Sequence, residues 1–230
     1  MSLDKIHILC IETANAITSV AIAQNGNCIA HKTILESNKA ADTLHLLIED
    51  LLQQTNLSFQ ELNAIAISAG PGSYTGLRIA TAAAKGFCVA LNIPLIAVPT
   101  LQAMVVGIKN RYHQSAFDAY LPMIDARRME VFTGIYANNL SNLKQDFNLI
   151  IENNWTIILE AEKKYCVFGN GANKTINTIN VDTIIVYENF VPSSEDLCLL
   201  AFQRYTNNML EDVAYFEPQY IKPFYSTLKN

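Results

Sequence analysis

The chain has 230 residues, half of them hydrophobic, which suits one large domain or two small ones with a sizeable core. A formal net charge of -5 argues against a broad basic surface for nucleic acid. The five cysteines are scattered along the chain and are expected to be buried thiols in a reducing compartment. Because the first residues lack a signal-peptide pattern and no apolar run could span a bilayer, we expect a soluble, cytoplasmic protein.

The first hundred residues predict three strands followed by alternating helices and strands. Asn25-Gly26 separates two apolar runs, 18–24 and 28–35, which predicts a hairpin with a type I′ turn. An apolar run at 5–11 predicts the strand before it. The remaining predicted elements are a helix over 39–54 with Asn38 as its N-cap, a strand at 62–68, a helix over 73–91 and a strand at 94–98.

The second half repeats this order, with an acidic residue after the first strand of each copy, Glu12 and Asp125. Its predicted elements are strands at 120–125, 129–136 and 143–150, a helix-like run at 153–163, strands at 165–168 and 183–187, and a helix over 193–209. We therefore predict an α/β fold of the two-lobed actin/Hsp70-like (ASKHA, ribonuclease H-like) kind, with a duplicated βββαβαβα unit. Residues 1–100 would form the N-terminal lobe and residues 101–230 the C-terminal lobe, with the C-terminal tail a candidate to return to the first lobe.

Residues 69–78 read AGPGSYTGLR, a glycine-rich turn between a predicted strand and a predicted helix. Such turns often bind phosphate, but this one lacks the GxxxxGK[ST] lysine and is one residue too long for GxGxxG. We expect instead a tight turn with Ser73 as helix cap. The helix then carries small residues on one face, and two interpretations stay open: packing against its own sheet, or packing across a subunit interface. These small residues are Gly76, Ala80, Ala83 and Ala90.

A nucleotide cleft between the lobes would use the turns at 12–15 and 125–128, and neither turn contains glycine in this chain. The carboxylates of Glu12 and Asp125 could hold Mg²⁺ through water or satisfy nearby turn amides. The candidate residues of this vestigial cleft are Glu12, Thr13, Asp125, Arg127, Arg128, Gly169 and Gly171. The arginines could bind an anion or remain solvated. Because HExxH and HxxxH motifs are absent, no metal site is expected.

Several stretches together resemble one family over nearly the whole chain. They are CIETANAITSVAIAQNG, SAGPGSYTGLRIATAAAKGFCVALNIPLIAVPTLQA, MIDARRMEVFTGIY, FGNGA and EPQYIKP. The chain resembles the bacterial tRNA threonylcarbamoyladenosine biosynthesis proteins of the TsaB (formerly YeaZ) family. GPGSYTGLR is the specific part of this resemblance and the other stretches support it.

The resemblance implies a non-catalytic scaffold or activator that dimerises with a larger paralogue, TsaD, and forms a homodimer when alone. TsaD transfers threonylcarbamoyl to adenosine 37 of ANN-decoding tRNAs, and a small ATPase, TsaE, joins the complex, so tRNA would be bound through the complex. No cofactor is implied, except ATP or ADP with Mg²⁺ held weakly or at a complex interface. The alternatives are an ATP-binding enzyme of the kinase/glycoprotease-like branch and a homodimer with a separate role.

By this resemblance the partner interface lies on the helices at 39–54 and 73–91. The residues expected there are Leu44, Leu47, Ile48, Leu51, Tyr74, Gly76, Leu77, Ala80, Ala83 and Phe87. One departure from the family is visible before the first of these helices. Lys39 and Ala41 stand where related chains often have His and Glu, the residues that would make a polar contact there.

Overall fold

The structure is a computed structural model that describes residues 5–15, 17–35, 40–112, 117–179, 182–188 and 190–222. In the first half the elements are β1 (His7–Glu12), β2 (Thr18–Gln24), β3 (Asn27–Ile34), α1 (Ala40–Thr55), β4 (Ala64–Ser68), α2 (Tyr74–Leu91), β5 (Leu95–Val98) and α3 (Thr100–Tyr112). In the second half they are β6 (Ala119–Asp125), β7 (Glu130–Ala137), β8 (Asn142–Ile150), β9 (Tyr165–Phe168), β10 (Ile184–Tyr187) and α4 (Cys198–Thr206).

The two halves form two five-stranded sheets with the same topology. The first has the order β3-β2-β1-β4-β5 and the second has the order β10-β9-β6-β7-β8, which is the same arrangement read from the opposite edge. In each sheet three antiparallel strands are followed by two parallel ones. The predicted two-lobed α/β fold with an internal duplication is therefore confirmed.

The first hairpin closes as the sequence predicts. Asn25 and Gly26 both have positive φ angles, 51° and 85°, as a type I′ turn requires. One irregularity follows in β3, where Cys28 pairs with Ala23 but Ala30 pairs with Ile22, so that the residue between them is extra. This β-bulge changes the face of the sheet on which the following side chains lie.

Two helical predictions differ from the structure, and one helix was not predicted. The helix expected over 153–163 is only a 3₁₀ turn at Trp155–Ile158, held by a hydrogen bond from the Trp155 indole to Thr178. The helix expected over 193–209 is divided into a 3₁₀ turn at Ser194–Leu197 and α4. Helix α3 was not predicted as a separate element, although the duplicated pattern contains a helix at its position.

The residues at the start of α1 are described only in part. Asn38 and Lys39 lie outside the described residues, and Ala41 is exposed.

The helices cover the first sheet on both faces. Helices α1 and α2 pack on one face, and α3 and α4 pack on the other. The last described residues return to this sheet as well: the Glu211 amide donates to the Leu95 carbonyl at 2.9 Å, and the Gln219 amide donates to the Ala69 carbonyl at 2.7 Å. The first lobe is thus completed by segments from the end of the chain. None of the helices in the described ranges has the length and hydropathy of a membrane span.

Candidate functional site

The glycine-rich turn joins the end of β4 to the start of α2 and is packed against its own chain. Ser73 caps α2 by accepting a hydrogen bond from the Gly76 amide at 3.2 Å, as predicted. A β-carbon at Gly72 would overlap the Ala14 backbone, and one at Gly76 would overlap the Thr13 carbonyl oxygen. These glycines therefore let the helix start approach another backbone segment closely, so they do not form an open cradle for phosphate.

The first acidic residue of the candidate cleft is buried beneath this turn. Glu12 is 1% exposed, and its carboxylate accepts hydrogen bonds from the Ala14 amide at 2.5 Å and from the Ser68 hydroxyl. Burial raises the pKa of Glu12, although these hydrogen bonds oppose the shift. The neighbouring Thr13 hydroxyl donates to the Gly76 carbonyl at 2.8 Å. Of the two roles considered for Glu12, the one observed is the satisfaction of turn amides.

The second acidic residue has different surroundings. Asp125 is exposed, accepts a hydrogen bond from the Arg127 amide at 2.7 Å, and forms an ion pair with Lys174. Arg127 and Arg128 are exposed and both have left-handed backbone angles, with φ of 68° and 50°. This turn presents one carboxylate and two guanidinium groups near the protein surface.

The glycines of the FGNGA stretch also pack against their own chain. Gly169 has φ of 106°, and a β-carbon there would overlap the Met123 carbonyl oxygen. The Gly171 amide donates a hydrogen bond to the same carbonyl at 3.0 Å. Both glycines, which are candidates for the nucleotide cleft by their sequence, thus fix the turn after β9 against β6.

Seven of the ten residues predicted for the partner interface are buried within the monomer. They are Leu44, Leu47, Ile48, Leu51, Gly76, Leu77 and Ala80. The apolar stripes of α1 and α2 pack against the first sheet and form part of the core of this lobe. The prediction that these seven residues face a partner is therefore wrong. Packing against the sheet, one of the two interpretations left open for the small residues, applies to Gly76 and Ala80.

The other three residues are half-buried and contact rings of the same chain. The ring of Tyr74 lies 4.9 Å from that of Tyr220, and Phe87 lies between Phe59 and His45 at 5.4 Å and 5.6 Å. Ala83 packs at the edge of the core. These residues adjoin the outer surface of the two helices.

The outer surface of α2 carries another row of small and apolar residues, which was not predicted from the sequence. We call Ala82, Gly86 and Val89 the exposed α2 stripe. Val89 is 74% exposed, and among the residues that the structure describes no atom beyond the neighbouring turns of α2 lies within 4 Å of a β-carbon placed at Gly86. Leu46, on the adjacent α1, is 62% exposed. The helical spacing of the stripe could have indicated it, but the sequence does not reveal which side of α2 faces the core.

Comparison with known proteins identifies the family. The family model described as TsaD, tRNA N6-adenosine threonylcarbamoyltransferase, matches residues 35–155, just over half of the chain. The TsaB protein of Bacillus subtilis is 29% identical over 80% of this chain and 79% of its own length. The Escherichia coli TsaB protein is 26% identical over 94% of each chain. The chain belongs to the TsaB family.

The function of this TsaB-family chain accordingly lies in the biosynthesis of threonylcarbamoyladenosine in tRNA. The fold agrees with a solved family structure, YeaZ from Pseudomonas aeruginosa, at a TM-score of 0.79 and 22% identity over 94% of this chain and 99% of that one. A tRNA N6-adenosine threonylcarbamoyltransferase of Geobacillus kaustophilus is 30% identical over 41% of this chain and 32% of its own length. The TsaB-family chain therefore shares part of its sequence with that larger transferase.

Proposed function

We propose that this chain is a non-catalytic subunit that binds TsaD and supports threonylcarbamoyl transfer to adenosine 37 of ANN-decoding tRNAs. The exposed α2 stripe is the observation that carries this proposal. A glycine in an exposed helix interior costs about 1 kcal/mol relative to alanine, and no contact within the described residues requires one at Gly86. A second helix packed closely against α2 would require it.

The surroundings of the stripe support a protein partner. Val89 and Leu46 expose large apolar side chains, and a partner that covered them would remove this apolar surface from water. His45, which precedes Leu46, contacts Phe87, which follows Gly86, so the two helices form one continuous surface there. A helix pair of TsaD is the occupant that we propose for this surface.

The part of the sequence shared with a threonylcarbamoyltransferase supports TsaD as that partner. If both chains carry the same pair of helices, the pair can meet its counterpart about a pseudo-two-fold axis. The same surface can then pair with itself, so we propose a homodimer when TsaD is absent. We also propose that TsaE and tRNA bind to the complex of this chain with TsaD, as the family resemblance implies.

The contacts of the glycines support a non-catalytic role over an ATP-binding enzyme. Gly72 and Gly76 are packed against the backbone of residues 13 and 14, and the carboxylate of Glu12 is buried and hydrogen-bonded. Phosphate binding at a glycine turn needs free backbone amides, and here the Ser73 amide donates to the Ala14 carbonyl at 2.7 Å. The surface that remains available is suited to a protein.

The proposal is tested by size exclusion with light scattering on the chain alone and mixed with TsaD from the same organism. We expect a homodimer that is replaced by a heterodimer. Gly86→Leu should abolish both complexes while leaving the monomer folded, because the new side chain extends into solvent. Gln203→Leu, at an exposed position on α4, is the matched control and should leave both complexes intact.

Two outcomes would refute the proposal. One is a Gly86→Leu variant that still binds TsaD as tightly as the unmodified chain, which would move the interface elsewhere. The other is ATP hydrolysis by the isolated chain without any complex, which would favour the enzyme alternative.

A further inference from the structure

A second cluster of chemically active side chains lies on the far side of the first sheet from the exposed α2 stripe. Cys28, His31 and Glu195 each present one ligand atom, and these three atoms all lie within 4.8 Å of one another. His31 Nδ1 is 3.2 Å from a carboxylate oxygen of Glu195. Neither the proposed function nor the family resemblance uses these residues.

The β-bulge in β3 brings two of the three side chains together. In a regular strand, residues three apart point to opposite faces, which would separate Cys28 from His31. Because the strand carries an extra residue at Ile29, both side chains lie on the face that packs against the C-terminal segment. Bulges often direct a side chain in this way.

The third side chain comes from the opposite end of the sequence and is held in place by hydrogen bonds. Glu195 lies in the 3₁₀ turn Ser194–Leu197, whose N-cap Ser193 accepts a hydrogen bond from the Glu195 amide. The Ser194 amide donates to the Ser19 hydroxyl of β2 at 2.8 Å, which fixes the turn on the sheet. The position of Glu195 is therefore set by the fold of the backbone.

We propose that Cys28, His31 and Glu195 form a binding site for a zinc-class divalent cation. A thiolate, an imidazole and a carboxylate are the three ligand types that zinc takes from proteins. Two nitrogen or oxygen ligands at about 2.0–2.1 Å from one tetrahedral ion are about 3.3 Å apart, close to the separation observed between His31 and Glu195. The fourth position would be open to water.

The surroundings fit the entry and retention of such an ion. The side chains of His31 and Glu195 are 46% and 38% exposed, so the site is reachable from solvent, while Cys28 is half-buried. Zinc takes cysteine as the thiolate, so cation binding would release the proton of the Cys28 thiol.

The site would join two parts of the molecule that are distant in sequence. Strand β3 is an edge strand of the first sheet, and Glu195 belongs to the segment that leads into α4. A bound ion would link them by coordinate bonds, and its binding energy would add to the stability of the folded state.

Cobalt and zinc titrations of the full chain under a non-chelating reductant, after removal of any affinity tag, test this proposal. We expect one Co²⁺ per chain, with the visible bands of tetrahedral cobalt and a thiolate charge-transfer band, and displacement by Zn²⁺. His31→Ala and Glu195→Gln should each weaken Zn²⁺ binding by at least about tenfold. Zn²⁺ should raise the melting temperature of the unmodified chain and leave that of either variant unchanged.

Controls are available elsewhere in the chain. His45→Ala and Glu49→Gln remove the same groups from exposed positions on α1 and should leave Zn²⁺ binding unchanged. Cys28→Ser should remove the charge-transfer band, whereas Cys88→Ser should keep it. Because His31 and Glu195 are partly exposed, their variants report on binding even if a cysteine variant fails to fold. Absence of tetrahedral cobalt bands, or equal Zn²⁺ affinity in the variants and the unmodified chain, would overturn the proposal.

Discussion

Helix α2 contains two glycines in opposite surroundings, and their comparison separates the structural from the functional use of small residues. Gly76 is buried, with its position fixed by the backbone of Thr13. Gly86 is exposed, and no other segment of the described chain comes within 4 Å of a β-carbon placed on it. The first glycine is required by contacts within the monomer. No contact among the described residues requires the second glycine, so we look for its role in contacts with another chain.

The largest difference in the free energy of unfolding should appear between alanine substitutions at these two glycines. Gly76→Ala introduces a methyl group against the Thr13 carbonyl, and overpacking of this kind against backbone should lower the free energy of unfolding by about 3 kcal/mol. Gly86→Ala should raise it by about 0.5–1 kcal/mol, because alanine is the better helix former.

Urea unfolding of the two alanine variants beside the unmodified chain measures this difference. Shifts of the same sign would contradict the assignment of opposite roles to the two glycines.

A second pair of variants tests the two faces at alanine positions. Ala80 is fully buried in the core and Ala82 is exposed. Ala80→Leu should cost about 1–3 kcal/mol through overpacking, whereas Ala82→Leu should change stability by less than about 0.5 kcal/mol. Ala82→Leu should nevertheless weaken TsaD binding, because it enlarges the exposed α2 stripe. Thermal melts together with a binding assay check both, and normal TsaD binding by a folded Ala82→Leu variant would contradict the proposed interface.

A smaller effect on stability is expected from the buried carboxyl group of Glu12, which lies beneath the N-terminal end of α2. Burial raises the pKa of Glu12, and it raises that of Asp196 to about 7, against the opposing effect of Arg111. Since the folded state keeps these two protons to a higher pH than the unfolded chain does, the contribution of these carboxyl groups to stability should be fully present below about pH 4 and should be lost as the pH rises through about 7. The slope of the free energy of unfolding against pH should therefore be negative in this range. Glu12→Gln should reduce the size of this slope by at most about 1.4 kcal/mol per pH unit.

Chemical denaturation at about pH 5 and about pH 7.5 measures that slope. Glu49→Gln, on the exposed side of α1, serves as the control and should leave it unchanged. An identical slope in Glu12→Gln and in the unmodified chain would show that burial of this carboxylate does not govern the pH dependence.

The sequence predicted the strands and the internal repeat well, because period-two apolar runs and the Asn25-Gly26 turn are local signals. It failed at 153–163, where the contact between Trp155 and Thr178 limits the segment to a short turn. A contact between residues that are distant along the chain has no local pattern, so periodicity could not reveal it. The split of the last predicted helix into a 3₁₀ turn and α4 has the same kind of cause, since the Ser194 amide is held by Ser19.

The interface residues were harder to predict than the fold. An apolar stripe such as Leu44 to Leu51 has the same spacing whether it faces a core or a partner, and here the core takes it. The cluster of Cys28, His31 and Glu195 was overlooked for a related reason. Its assembly depends on a β-bulge and on a turn from the far end of the chain, and neither is visible as a motif.

The return of the chain's end to the first sheet has a consequence for the order of synthesis. Part of one face of that sheet is covered by Leu197, Leu200 and Ala201, which leave the ribosome long after β1 to β5 have been made. During that interval the growing chain exposes apolar surface that has no partner yet, a condition that favours aggregation or chaperone binding. A premature stop anywhere before α4 would therefore release a fragment whose first half is also incomplete.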